Sequence, residues 1–178
     1  MLIDVHTHIF PSKIAPKTIK VLEKGFLRVQ HKPYYAHTDG TVDGLRQSMK
    51  EFGVDKCVVL PIATTVKQSE SINQFAISID SDDVRSFGSV HPMQSDYDRV
   101  LEELAEHGIR GIKLHADYQD FYIDCKESIA VLKKAEALGL YVTLHSGVDF
   151  GQEGPGLQES VAMCDEGTLE RYLERGQV

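Results

Sequence analysis

Two histidines separated by one residue, His6 and His8, are the residues of this sequence best placed to do chemistry. On an extended strand, side chains two apart leave from the same face, so both imidazoles can grip one cation. Zinc binds imidazole nitrogen at about 2.0 to 2.1 Å and takes three or four protein ligands, so the pair needs help from elsewhere. His145, in Leu144-His145-Ser146-Gly147, is the leading third ligand. It ends an apolar run, and the small residue and glycine after it leave room for substrate and backbone near a metal. A His-x-His pair alone is as well explained by ordinary hydrogen-bonded histidines. Its position decides: it ends a first strand, stands beside Asp4, and has counterparts at the ends of later strands.

Those counterparts are His91, His115 and His145, so five of the eight histidines lie at or next to the end of a predicted strand. His91 and His115 fit equally a hydrogen bond to a neighbouring loop, a place behind the metal ligands, or contact with substrate. Lys113 shares parity with His115 and points into the same interior, where an unpaired ammonium is costly. A salt bridge to an interior carboxylate such as Asp4 is the economical reading, and carbamylation to bridge two metals is the alternative. Asp117, Tyr118, Asp120 and Tyr122 crowd the loop after that strand, where they either orient a polar substrate or form a solvated loop. His31, His37 and His107 read as solvent-facing.

The elements that carry these residues follow from periodicity. Leu2 to His8 reads as a strand stopped by Phe10-Pro11. Val42 to Phe52 has helical apolar spacing and is closed by Gly53, and Cys57 to Ile62 is the second strand. Strands then follow at Val84 to Val90, Ile109 to Leu114 and Leu140 to Leu144, preceded by helices near Ser69 to Ile79, Asp96 to Glu106 and Ser128 to Leu138. Gly108 and Gly139 stand where a helix hands over to a strand. Recurrence at about thirty residues is a βα repeat. Near-continuous apolar strands suit a parallel sheet covered by helices, in a barrel or in an open doubly wound sheet. Gly25 to Thr41 has little periodicity and is expected to be a loop or cap over the active-site end. Residues 151–156 read as a glycine-rich loop and 168–175 as a short last helix.

The fold class is therefore α/β, with about five parallel strands and flanking helices in one domain over residues 1–178, of which 151–178 is a divergent C-terminal tail. With 178 residues, 42% hydrophobic and 26% charged, the composition is that of a globular chain. A net charge of −8 argues against a nucleic-acid partner. No apolar run approaches the roughly 18 residues of a membrane span, and the opening residues have no basic n-region, so the expectation is a cytoplasmic protein with no membrane partner. Cys57, Cys125 and Cys164 are widely spaced, which suggests neither a disulfide framework nor a thiolate zinc site.

Ile3-Asp4-Val5-His6-Thr7-His8-Ile9-Phe10-Pro11 resembles the opening of amidohydrolase-superfamily proteins of the amidohydrolase 2 type. Gly88-Ser89-Val90-His91-Pro92, Gly111-Ile112-Lys113-Leu114-His115 and Leu144-His145-Ser146-Gly147 resemble that family's third, fourth and fifth strand ends, in order. The likeness covers residues 1 to about 150. It implies a (β/α)₈ TIM barrel, here partial, and a divalent metal cofactor, zinc by preference, on His6, His8 and His145. It also implies hydrolysis of an amide, ester or lactone in a small-molecule substrate. Related members perform non-oxidative decarboxylation. The family's strand-six histidine and strand-eight aspartate have no counterpart after Phe150, so the expectation is metal binding with little turnover. A phosphoesterase of the polymerase-and-histidinol-phosphatase type shares the opening motif and is a competing reading. A non-catalytic remnant, assembling into a homo-oligomer through exposed strand edges, is another.

Overall fold

The computed structural model describes residues 1–145. The loop expected at 151–156, the helix expected over 168–175 and the tail from 151 lie outside them. The described chain runs β1 (Ile3–Thr7), α1 (Ala15–Gln30), α2 (Val42–Phe52), β2 (Lys56–Val59), α3 (Ser69–Ile79), β3 (Val84–Ser86), α4 (Tyr97–Glu106), β4 (Gly111–His115), α5 (Ala116–Gln119), α6 (Lys126–Ala137) and β5 (Tyr141–His145). Each strand pair is parallel, which requires the intervening helices as crossovers.

Strands β1, β2 and β3 pair in that order, as do β4 and β5. A bridge between Gly88 and Ile112 joins the two groups. There the Gly88 N–H donates to the Gly111 carbonyl and the Lys113 N–H donates to the Gly88 carbonyl, each at 2.8 Å. The spatial order is thus the chain order, without reversal. A doubly wound sheet reverses its order at a switch point, whereas a barrel advances one strand at a time, so the architecture is a partial (β/α)₈ barrel. Gly88 permits the junction: a Cβ there would run into the Leu104 side chain, which is itself buried in the core.

Local chemistry sets the helix limits. The Thr41 hydroxyl accepts from the Gly44 N–H at 3.1 Å and starts α2. Gly53, at φ 67°, ends it by donating to the Met49 carbonyl. The expected cap over 25–41 is corrected in part, since α1 runs through Gln30 with a proline in its first turn. Its apolar residues Val21, Leu22, Phe26 and Leu27 are exposed rather than aligned on a core, which explains why no core-facing period showed in the sequence. The expected loop after β4 also begins as a short helix, α5.

Two apolar cores lie between strands and helices. One gathers Ile112 and Leu114 of β4 with Leu101 and Leu104 of α4 and Val131 and Ala135 of α6. The other gathers Cys57 and Val59 of β2 with Leu45 and Met49 of α2. Because Ile112 and Leu114 face the helices, the alternate residues Lys113 and His115 face the barrel interior.

Candidate active site

The β1–β2 register pairs Asp4 with Cys57 but Thr7 with Val59, so β1 spends three steps where β2 spends two. This bulge puts Asp4 and Thr7 on the helix side with Cys57 and Val59, and leaves His6 and His8 on the opposite, interior face. Asp4 turns back along its own strand, where Oδ1 accepts from the His6 N–H at 3.0 Å. Without the bulge, parity would set Asp4 beside the two histidines. The expected Lys113–Asp4 salt bridge is accordingly absent: among the described residues no ion pair involves either side chain.

His6 and His8 do converge. Their Nε2 atoms are 3.1 Å apart and their rings meet edge to face, with centroids 5.0 Å apart. His8 Nδ1 lies 2.8 Å from the Leu60 carbonyl, which can only accept, so the proton sits on Nδ1 and the Nε2 lone pair faces His6 Nε2. Burial pushes the His8 pKa down to about 4, and the adjacent His6 adds to the shift. The His6 pKa is lowered by burial and then by Lys113 and His145, against a smaller opposing effect of Asp4. Both rings are neutral at pH 7, as metal-binding imidazoles must be. Two ligands at about 2.0 to 2.1 Å from one zinc-like ion lie about 3 Å apart, so the donor pair fits a divalent cation.

β4 and β5 supply the rest. His115 pairs in register with His145, and their rings stack at 4.0 Å with a 7° tilt. Tyr118 stacks on His115 at 4.0 Å and 4°, so His115 is sandwiched between two rings. Its pKa falls to about 3, by burial first and then by His145, Lys113 and His8. Among the described residues no three metal-capable side chains meet at one point, so His145 lies against His115 rather than closing a set with His6 and His8. Lys113 is 1% exposed, and burial lowers its pKa.

The remaining expected site residues stand further out. His91 is half-buried; its Nδ1 accepts from the Met93 N–H at 3.2 Å, and Asp120 is the charge it feels. Asp117 is half-buried in the first turn of α5. His31, His37 and His107 are exposed, as the sequence predicts.

A buried polar network behind the site escaped the sequence reading. Gln119, 1% exposed, accepts from the His115 N–H at 2.8 Å and donates to the carbonyls of Ala63 and Val90 at 2.9 Å each. It ties the segments that follow β2 and β3 to the end of β4. Asn73 of α3 bonds both the N–H and the carbonyl of Ser89, whose hydroxyl donates to the Lys113 carbonyl. A glutamine four residues after a strand-end histidine is the only local signal that could have marked Gln119.

The family model for amidohydrolases matches residues 3–173, extending past the point near 150 where the motif resemblance stops. No curated protein matches the chain in sequence. Among solved structures it is similar to apo IDCase of Metarhizium anisopliae, at 17% identity and TM-score 0.67, over 99% of this chain and 61% of that one. It is also similar to two 5-carboxyvanillate decarboxylases. For that of Novosphingobium aromaticivorans, which contains bound manganese, the values are 14%, 0.65, 97% and 61%. For that of Sphingomonas paucimobilis they are 18%, 0.60, 94% and 56%. The chain thus spans about three-fifths of the length of these structures, and the likeness is one of fold. With the family model matching nearly its whole length, the chain belongs to the amidohydrolase family.

Proposed function

We propose that this chain carries the metal-binding strands of a metal-dependent hydrolase, with His6, His8 and His145 as ligands to a divalent cation, zinc by preference, acting on an amide, ester or lactone. The observation that carries the reading is the His6–His8 pair, two neutral imidazoles aimed at each other across 3.1 Å. The cation, when bound, would lower the pKa of water from about 15.7 towards 7 and polarise a carbonyl. The protein's part is preorganisation. The Leu60 carbonyl fixes the His8 tautomer, and the bulge keeps the aspartate off the interior face. His145, which ends β5 on the neighbouring strand pair and stacks on His115, is the third donor in this reading and would have to turn from that stack to join His6 and His8.

The test is elemental analysis of the purified chain. It should hold close to one zinc-like ion, and His6→Ala and His8→Ala should each reduce this to near zero. Full metal content in both variants would overturn the assignment.

Non-oxidative decarboxylation is the second reading. Among the described residues no three metal-capable side chains form one cluster, carboxylates included. Two of the similar solved structures are named as decarboxylases. A parallel screen of lactones, esters and amides against aromatic carboxylates, read as acid release or as carbon dioxide release, separates the two.

A further inference from the structure

Helix α1 stands outside both apolar cores, since among the described residues none of its side chains belongs to either. A helix of 16 residues holds its shape in a protein mainly by burying an apolar face. Here Val21 is 60%, Leu27 47% and Phe26 40% exposed, while Ala15, Ile19 and Gly25 turn the helix towards the rest of the chain. On the opposite side Lys17, Lys20, Lys24 and Arg28 are all exposed, and at 3.6 residues per turn they fall within about 80° of arc, flanked by Val21 and Leu27. Among the described residues no ion pair involves Lys17, Lys20 or Lys24. Like charges three and four residues apart repel along a helix, so the stripe weakens α1 until an anion lies against it.

The charge is also local. Residues 13–37 hold six of the chain's 19 lysines and arginines but one of its 27 acids, Glu23, so the segment is +5 within a chain of −8. That acid serves the backbone: its Oε1 accepts from the Ala36 N–H at 2.9 Å. This bond, with the stacking of Phe26 on Tyr34 at 5.6 Å, folds the following loop back along α1 and leaves Tyr34 and Tyr35 exposed.

We propose that α1 and the loop carrying Tyr34 and Tyr35 form a peripheral docking surface for an anionic lipid bilayer. The basic stripe meets the headgroups, and the flanking Val21 and Leu27 enter the boundary between headgroups and acyl chains. Tyrosines suit that boundary because their rings are apolar at one end and polar at the other. A nucleic-acid duplex would use the charges and leave the apolar flanks in water, whereas a lipid surface takes both. Two copies cannot meet α1 to α1, because both stripes are positive. The expectation of no membrane partner rests on the lack of a spanning run, and surface attachment needs none. The inference is independent of the metal and of the bond cleaved.

The test is sedimentation of the full chain with vesicles of phosphatidylcholine alone and of phosphatidylcholine mixed equally with phosphatidylglycerol. The mixed vesicles should bind at least ten-fold more tightly, and sodium chloride at about 1 M, which screens charges beyond about 3 Å, should release the chain. Lys20→Glu together with Lys24→Glu reverses two exposed charges and should weaken binding to the mixed vesicles at least ten-fold, with an unchanged circular dichroism spectrum. The chain has no tryptophan, so Leu27→Trp supplies a reporter whose emission should shift to the blue when the mixed vesicles are added. Equal binding of the wild-type chain to the two vesicles, or binding to neither, would overturn the proposal whether or not the variants fold. So would a charge-reversed chain that folds and binds as the wild type does, or a reporter that binds without a blue shift. Tighter binding of the wild-type chain to duplex DNA or to polyglutamate than to the mixed vesicles would also overturn it, in favour of another polyanion.

Discussion

Single side chains at this barrel mouth are held by partners that are not themselves reactive. His8 owes its tautomer to one carbonyl, and His115 owes its position to Gln119 and two flanking rings. Gln119→Leu keeps the volume but removes the bonds to the His115 N–H and to the Ala63 and Val90 carbonyls, all in buried surroundings. Unsatisfied buried groups cost about 1 to 3 kcal/mol apiece, so a loss of about 2 to 4 kcal/mol is expected after partial relaxation. Urea unfolding followed by circular dichroism would measure it, and a change below 1 kcal/mol would show that the network is dispensable.

Between elements, two contacts decide whether the strands stay in order. Gly88→Ala would press a methyl group into the buried Leu104 side chain at the β3–β4 junction, and that side chain would have to shift within the core. Overpacking of this kind costs about 1 to 3 kcal/mol, which thermal denaturation would register as a lower Tm. The second contact fastens α2 to the start of β3. Arg46 Nε and Nη2 lie 2.9 and 3.3 Å from the two Asp83 carboxylate oxygens, and the Ser81 hydroxyl donates to Oδ1 at 2.8 Å. These bonds, Arg46 first, pull the Asp83 pKa from 3.8 to about 2. A carboxylate depressed in the folded state stabilises above its unfolded pKa and loses that contribution as pH falls through the folded value. The Tm gap between wild type and Arg46→Ala should therefore be full above pH 4 and close towards pH 2. The pair is partly exposed, so the gap corresponds to at most about 1 kcal/mol.

At the scale of the molecule, β1 has a neighbour on one side only among the described residues, and its Ile3 and Val5 are 42% and 66% exposed. An open apolar edge favours association. The chain is expected to self-associate with rising concentration in light scattering, and Val5→Lys should shift it towards monomer. A wild-type chain that stays monomeric across the same range would remove edge exposure as a driver. No helix among the described residues is long and apolar enough to cross a membrane.

Much of this was legible in the sequence because it depends on local periodicity. The helices at Val42–Phe52 and Ser69–Ile79 fall where apolar spacing places them, and the glycines at 53, 108 and 139 take the left-handed conformation that ends a helix. The convergence of His6 and His8 follows from alternation along one strand. Three things were not local. The bulge in β1, which takes Asp4 away from Lys113, exists only in the pairing with β2. The choice of barrel over doubly wound sheet rests on strand order, which no strand encodes alone. Gln119 acquires its role by reaching three separate chain segments at once. The sequence by itself determined which elements form and which residues alternate to each face, because backbone period and side-chain polarity are properties of neighbours in the chain. Only the tertiary structure decided which charges meet, because register and strand order are settled by packing between segments far apart in sequence.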